Sequence, residues 1–330
     1  MNWSGCKVLV TGADGFLGSH LVERLVTLGA DVRAFCFYNS NGSLGWLDGV
    51  EPEIKKSLDV RLGDIRDGAF VEESCDGIQV VFHLAALIPI PYSYKAPESF
   101  VDTNIKGTLN VLMAARRSNC GRVIHTSTSE VYGNSAHLPI TESHPLQAQS
   151  PYSASKIAAD KLAEAFYYSF NVPVVTLRPF NTFGPRQSMR AVIPTILVQL
   201  LSGCNEVRLG LLEPRRDLTF VADTVEGFIR AAEIAGIEGQ VIQLGTGRTV
   251  SIGELFEAAC RVLGVSARVL QNEERLRPNN SEIMVLLSDP SKAENLLRWK
   301  ASTSLEMGLK ITAAWIERHL DRFEPERYYV

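Results

Sequence analysis

Cys6-Lys7-Val8-Leu9-Val10-Thr11-Gly12-Ala13-Asp14-Gly15-Phe16-Leu17-Gly18 is the stretch from which the fold of this 330-residue chain is read. Its first six residues make a short apolar run of the buried-strand kind. Glycines follow at 12, 15 and 18, and then apolar residues at helical spacing, Leu21, Val22, Leu25, Val26 and Leu28, up to a stop at Gly29. Strand, glycine loop and helix in that order let a backbone approach a pyrophosphate, which then sits at the helix N-terminus. The spacing departs from the common Gly-x-Gly-x-x-Gly. From spacing alone, a plain turn between strand and helix stays open as the alternative.

The pattern repeats down the chain. Val32–Phe37, Asp59–Ile65 and Gln79–Ala86 read as further strands, and Asp102–Ser118 carries a helix period through Ile105, Leu109, Leu112 and Met113. Strands alternating with helices at this pace predict an α/β, Rossmann-type doubly wound parallel sheet. In such a sheet the second strand ends in an acid that holds the adenosine ribose. Here it ends Phe37-Tyr38-Asn39, without one, and Arg33 lies inside the strand rather than in a pocket for a 2′-phosphate. From these residues alone, NAD and NADP both stay open. Asp64, closing the third strand, is a candidate partner for an adenine amino group. Leu84, Ala85 and Ala86 close the fourth with side chains small enough for a cofactor to lie close. His83 reads as a satisfied core histidine rather than a base, and Asn104 as a buried backbone tether.

After the apolar segment Arg122-Val123-Ile124-His125 comes Thr126-Ser127-Thr128-Ser129-Glu130, and then Tyr152-Ser153-Ala154-Ser155-Lys156 opening a helix-period segment. On a helix Tyr152 and Lys156 share a face. An ammonium beside a phenol favours phenolate, so Lys156 is expected to push the Tyr152 pKa down and make it a base near neutral pH. Helix surfaces produce Tyr-x-x-x-Lys pairs often, and the pair gains weight only from its surroundings.

Beyond the strand Pro173–Arg178 the alternation loosens at Pro179-Phe180-Asn181-Thr182-Phe183-Gly184-Pro185-Arg186, a stretch rich in turn formers. A smaller domain is placed from there. Arg190, Arg215, Arg216 and Arg277 all lie near turn signals; each is either a solvated surface charge or part of a bidentate diphosphate clamp. Thr219–Ala235 and the strand Val241–Leu244 are expected to pack back on the first domain, and Thr303–Leu320 to form a terminal amphipathic helix.

Charge and composition narrow the class. A net charge of −4 without a basic run argues against a nucleic-acid partner. No segment has the apolar length of a membrane span, and the N-terminal residues lack a signal peptide's basic and apolar regions, so a cytoplasmic protein is expected. The six cysteines are scattered with no metal-ligand spacing. They read as reduced core thiols, and no metal is expected.

Taken together, Gly12-x-x-Gly15-x-x-Gly18, Gly63-Asp64-Ile65, His83-Leu84-Ala85-Ala86, Tyr152-x-x-x-Lys156, Arg178-Pro179-Phe180-Asn181-x-Phe183-Gly184-Pro185 and Arg216-Asp217-Leu218-x-Phe220-Val221 resemble the extended short-chain dehydrogenases/reductases of the nucleotide-sugar-modifying branch. The match spans nearly the whole chain. It implies a tightly held NAD, contacted by Gly12, Gly15, Phe16, Leu17, Gly18, Tyr38, Asn39, Asp64, Ile65, Leu84, Ala85, Ala86, Asn104, Tyr152 and Lys156. It also implies a nucleoside-diphosphate sugar held by Asn181, Arg190, Arg216 and Arg277, and a homodimer formed through the Tyr-x-x-x-Lys helix and its neighbour. Residues 1–178 would form the NAD-binding domain, with 219–247 packing back on it, and 179–330 the nucleotide-sugar domain.

Within the branch, Thr128-Ser129-Glu130 resembles the Thr-Ser-Glu of GDP-mannose-type 4,6-dehydratases. The dTDP-glucose dehydratases have Thr-Asp-Glu, and 4-epimerases usually lack the acid. UDP-glucuronate decarboxylases share Ser-Glu but add an Arg-Lys-Pro where this chain reads Ser288-Asp289-Pro290. Tyr38-Asn39-Ser40, Pro89-Ile90-Pro91-Tyr92-Ser93-Tyr94 and Arg275-Leu276-Arg277-Pro278 resemble the bacterial GDP-N-acetylglucosamine 4,6-dehydratases. A 4,6-dehydratase is the expectation, with Thr128, Ser129, Glu130, Tyr152 and Lys156 catalytic. A 4-epimerase, a decarboxylase or a non-catalytic NAD(H)-binding regulator are the alternatives.

Overall fold

A computed structural model describes residues 2–135, 137–325 and 327–329. Seven parallel strands make its central sheet: β1 (Lys7–Thr11), β2 (Asp31–Phe37), β3 (Asp59–Gly63), β4 (Val80–His83), β5 (Arg122–Thr126), β6 (Val174–Pro179) and β7 (Val241–Leu244). Their spatial order is β7-β6-β5-β4-β1-β2-β3. The order reverses between β1 and β4, and in open parallel sheets that point opens a crevice beyond the strands' carboxyl ends.

β1 shows why the first apolar run is a strand. Val8, Leu9, Val10 and Thr11 are all fully buried. Val8 and Val10 pack into one hydrophobic cluster with Leu21, Val22 and Leu25 of helix α1 (Phe16–Thr27), while Leu9 enters a second with Val81, Val123, Val111 and Leu112. A strand covered on both faces has no polar side, which is why it reads as a continuous apolar run rather than an alternating one.

Three differences from the sequence reading are physical. The fourth strand ends at His83: the Leu84 N–H makes the last bond to the Thr11 carbonyl at 3.2 Å, and the Ala85 N–H is diverted to Thr11 Oγ1 at 3.1 Å. The helix read from Asp102 opens as a π-turn, Val101–Lys106, and becomes the α-helix α2 (Gly107–Arg117) only afterwards. Of the cysteines, Cys6, Cys36, Cys75 and Cys120 are buried but Cys204 and Cys260 only half-buried; all six are free.

The helix α3 (Pro151–Phe170) carries Tyr-x-x-x-Lys, and its start is strongly specified. Ser150 Oγ accepts the Ser153 N–H at 3.1 Å, Ser153 Oγ accepts the Ser150 N–H at 3.0 Å, and Pro151 occupies the first turn. Beyond β6 the small elements are local. Asn181–Phe183 pairs in parallel with Leu218–Phe220, and Arg215–Arg216 lies between Val250–Ser251 and Val285–Leu286. Asn181 thus follows two residues after the end of β6, and Arg216 lies beside Leu286. No helix of the described residues is long and apolar enough to cross a membrane.

Candidate active site

The glycine loop is closed too tightly for side chains. Gly12 has φ +68°, and a Cβ there would stand 2.9 Å from the Ala85 backbone; a Cβ on Gly18 would run into the Gly12 carbonyl oxygen. Neither contact is possible, so the loop is committed to glycine, leaving bare backbone beside the α1 N-terminus. Thr11 ties the two strands at the crevice: its hydroxyl lies 2.9 Å from His83 Nδ1, and His83 Nε2 lies 3.0 Å from Thr108 Oγ1. His83 is fully engaged and kept neutral by burial, which lowers its pKa well below the usual histidine range.

Asn104 is a tether at the level of its side chain. Its Oδ1 accepts the Leu87 N–H at 2.8 Å, and its Nδ2 donates to Leu87 O and Ser155 Oγ, both at 2.9 Å. Two other predicted cofactor residues are committed within their own loops. Asn39 Nδ2 donates to Phe37 O and Ser43 O, and Asp64 forks onto Arg66 at 2.9 and 3.0 Å. Ile65 packs beneath Gly107, and Tyr38 is exposed.

At the end of β5, Thr128 caps a short helical turn, its hydroxyl accepting the Glu130 N–H at 3.2 Å. Ser129 is buried and Glu130 half-buried. Tyr152 is buried against Phe100, with the Thr128 hydroxyl beside its phenol. Here the expected electrostatics are reversed. Burial raises the phenol pKa above the ordinary tyrosine value, the Thr128 hydroxyl lowers it, and Glu130 and Asp160 raise it further. Lys156 Nζ donates to the Thr126 carbonyl at 2.6 Å, and burial pulls its pKa down to about 8. The Thr128 hydroxyl, rather than Lys156, is the group that favours the Tyr152 phenolate.

What lies behind Lys156 went unread in the sequence. Asp160 Oδ2 accepts from Arg178 Nε at 3.0 Å, Arg178 Nη2 at 2.9 Å and Ser127 Oγ at 2.8 Å, and Oδ1 accepts from His125 Nε2 at 3.2 Å. Arg178 Nη1 donates to Tyr132 Oη at 2.9 Å. The signal was present: Asp160 is four residues after Lys156, on the same helix face. Asp160→Asn would leave Arg178 buried without a counter-charge, which typically costs about 3–5 kcal/mol. A fall of roughly 10 °C in thermal midpoint is expected; an unshifted melting curve would refute the structural weight given to this pair.

The candidate arginines separate into groups. Arg216, buried, donates through Nη2 to Glu282 Oε1 at 2.8 Å and through Nη1 to Ile283 O at 2.8 Å. Arg277 Nε stands 3.7 Å from Glu282 Oε2, and its Nη1 is buried without a partner among the described residues. Both cations thus converge on Glu282, a residue the sequence reading passed over. Burial lowers the pKa of Arg216, and Glu130 is the leading charge acting in the opposite sense. Arg215 instead pairs with Glu254 at the surface, and Arg190 is exposed with its Nε on Ser188 Oγ at 3.1 Å. Asn181 Oδ1 is buried with no partner among the described residues.

Comparison with known proteins bears on the whole arrangement. The family model described as GDP-mannose 4,6 dehydratase matches residues 9–312. A dTDP-glucose 4,6-dehydratase of Actinoplanes sp. is 32% identical over 94% of this chain and 97% of its own. The dTDP-glucose 4,6-dehydratase of Streptomyces venezuelae, solved with NAD bound, superposes with a TM-score of 0.84 at 29% identity, covering 97% of this chain and 99% of that one. The UDP-glucuronic acid 4-epimerase of Bacillus cereus, solved with UDP-glucuronic acid and NAD, gives 0.85 at 28%, covering 95% and 99%.

Proposed function

This chain belongs to the GDP-mannose 4,6-dehydratase family of extended short-chain dehydrogenases/reductases, and on that premise we propose that it is a nucleoside-diphosphate-sugar 4,6-dehydratase. The reaction would convert the bound sugar to its 4-keto-6-deoxy form, with GDP-N-acetylglucosamine as the proposed substrate. Glu130 carries the reading. It is the half-buried carboxylate of the turn that Thr128 caps, two residues from the hydroxyl beside the Tyr152 phenol, and its charge acts on both that phenol and the Arg216 guanidinium. A 4-epimerase has no task for an acid there. A decarboxylase would need an arginine where Ser288 stands, and the Ser288 hydroxyl is committed to Asp217 Oδ2 at 2.5 Å.

The glycine loop fits NAD, since it closes without side chains at Gly12, Gly15 and Gly18 and leaves bare backbone at the α1 N-terminus, where a pyrophosphate would bind. We place the dinucleotide along Gly12–Gly18, Leu84–Ala86, Tyr152 and Lys156. NAD supplies the hydride acceptance and return that oxidise C4 and reduce C6. Tyr152, as the phenolate to which the Thr128 hydroxyl donates, takes the C4 hydroxyl proton. The resulting ketone acidifies C5, and Glu130 removes that proton. Ser129 is far too weak an acid to protonate the departing C6 hydroxyl, so Glu130 passes the proton to it and water leaves. C5 takes a proton from solvent as C6 is reduced, and Tyr152 gives up the C4 hydroxyl proton to solvent in exchange. Arg216, Arg277 and Asn181 Oδ1 hold the diphosphate and sugar. Residues 179–330 form the nucleotide-sugar domain in this reading, with 219–247 belonging to the NAD-binding side. The exposed Met113, Tyr168 and Phe170 on α2 and α3 are assigned to a homodimer, which sedimentation at twice the chain mass would check.

Mass spectrometry after incubation with a panel of nucleotide sugars tests the proposal. Loss of one water supports it; loss of carbon dioxide, or unchanged mass with a new retention time, would replace it by a decarboxylase or an epimerase. Arg216→Ala and Arg277→Ala should each raise KM about 10- to 100-fold, with a smaller effect on kcat, since each removes charge-assisted bonds to phosphate. Normal KM in both variants would remove the clamp.

A further inference from the structure

The carboxyl end of β2 is where the ribose-holding acid was missing, and the structure brings one there from elsewhere. The glycine loop lies across that end: Ala13 N donates to Phe35 O at 3.2 Å, and the Asp14 carboxylate accepts the Phe37 N–H through Oδ2 at 3.3 Å. The Asp14 carbonyl accepts the Trp46 N–H at 3.0 Å, which fixes the residue against the loop that follows β2. Asp14 makes no ion pair among the described residues, and its Oδ1 has no hydrogen-bond partner there. The side chain is half-buried, open on one side.

We infer that Asp14 is the carboxylate that receives the adenosine ribose hydroxyls of the dinucleotide and repels a 2′-phosphate, doing from the β1 loop what an acid at the end of β2 would do. Its neighbours leave no other candidate. Asn39 is committed to Phe37 O and Ser43 O, and Asp48 to Ser43, Leu44 and Lys55. The cation that could welcome a 2′-phosphate is also engaged: Arg33 holds Asp59 at 2.6 Å and the carbonyls of Ser74 and Asp76 at 3.0 and 2.9 Å. Burial raises the Asp14 pKa, which two backbone N–H groups only partly offset. Two ribose hydroxyls would supply the donors this carboxylate lacks, and a phosphate dianion would supply none.

The inference rests on the dinucleotide reading of the glycine loop and is independent of which sugar reaction follows. Asp14→Asn is the test, because the amide oxygen still accepts the Phe37 N–H while the charge is removed. Full-length protein is titrated with NADH and with NADPH, followed by cofactor fluorescence. The parent chain should prefer NADH by at least about 100-fold, and Asp14→Asn should shrink that preference about 10- to 100-fold, the range of a charge-assisted bond. Asp14→Ser serves the same purpose should the amide variant fail to fold. A parent chain that binds both equally, or a variant whose preference is unchanged, overturns the assignment. Failure of the parent to bind either dinucleotide would overturn the cofactor reading itself, and the assignment with it.

Discussion

Glu130→Gln given its true substrate should accumulate enzyme-bound NADH and release almost no 4-keto-6-deoxy product. The amide keeps the size of the side chain and still hydrogen-bonds, but it cannot accept a proton from C5 at neutral pH. Oxidation at C4 relies on Tyr152, so the hydride leaves the sugar. Elimination then fails, and no C6 acceptor forms for its return. Loss of a general base of this kind typically slows a reaction roughly 100- to 10,000-fold. Bound NADH is read by absorbance or fluorescence, and solvent deuterium should not appear at C5. An unimpaired variant would move the assignment to a 4-epimerase.

Tyr152→Phe should remove turnover by a comparable or larger factor, and earlier in the reaction. No NADH should appear at all, because the C4 proton has no acceptor. The ring is buried against Phe100 and loses only its hydroxyl, so folding and sugar binding should be nearly unchanged. The two variants are therefore distinguishable by near-ultraviolet absorbance as well as by rate: one stalls after oxidation, the other before it. Appreciable activity in the Tyr152→Phe variant would remove this tyrosine from the base role.

Local pattern carried much of this. The β1 run, the glycine loop and α1 are legible because burial on both faces demands apolar residues and the close turn demands glycine. Tyr152 and Lys156 are legible as a pair because helix geometry sets i and i+4 on one face. Their electrostatics were not. Whether an ammonium reaches a phenol depends on burial and on competing acceptors, here the Thr126 carbonyl 2.6 Å from Lys156 Nζ, and neither is encoded in spacing. The same limit hid Glu282, whose meaning comes from Arg216, 66 residues away, reaching it alongside the nearby Arg277. It also hid Asp14, which looks like a loop residue until β2 is seen to end beneath it. Arg215 shared the composition of a clamp but is paired with Glu254 at the surface, because turn-adjacent arginines are common on any surface.

The pairing of β7 with β6 has a consequence for how the chain can be cut. Val241–Leu244 reaches its neighbour only after residues 180–240 have been laid down, and Thr176 to Pro179 wait for it as an open flank. A fragment ending near residue 178, drawn where the chain seems to change character, would present β6 with its backbone groups unpaired and its side chains almost all buried in the intact protein. Exposed apolar edges of that kind recruit other chains. Such a fragment should be aggregation-prone rather than a free-standing nucleotide-binding module, and one extended through residue 247 should be markedly less so. The two lobes would then mature as one cooperative unit, closed late by a strand from the far half of the chain.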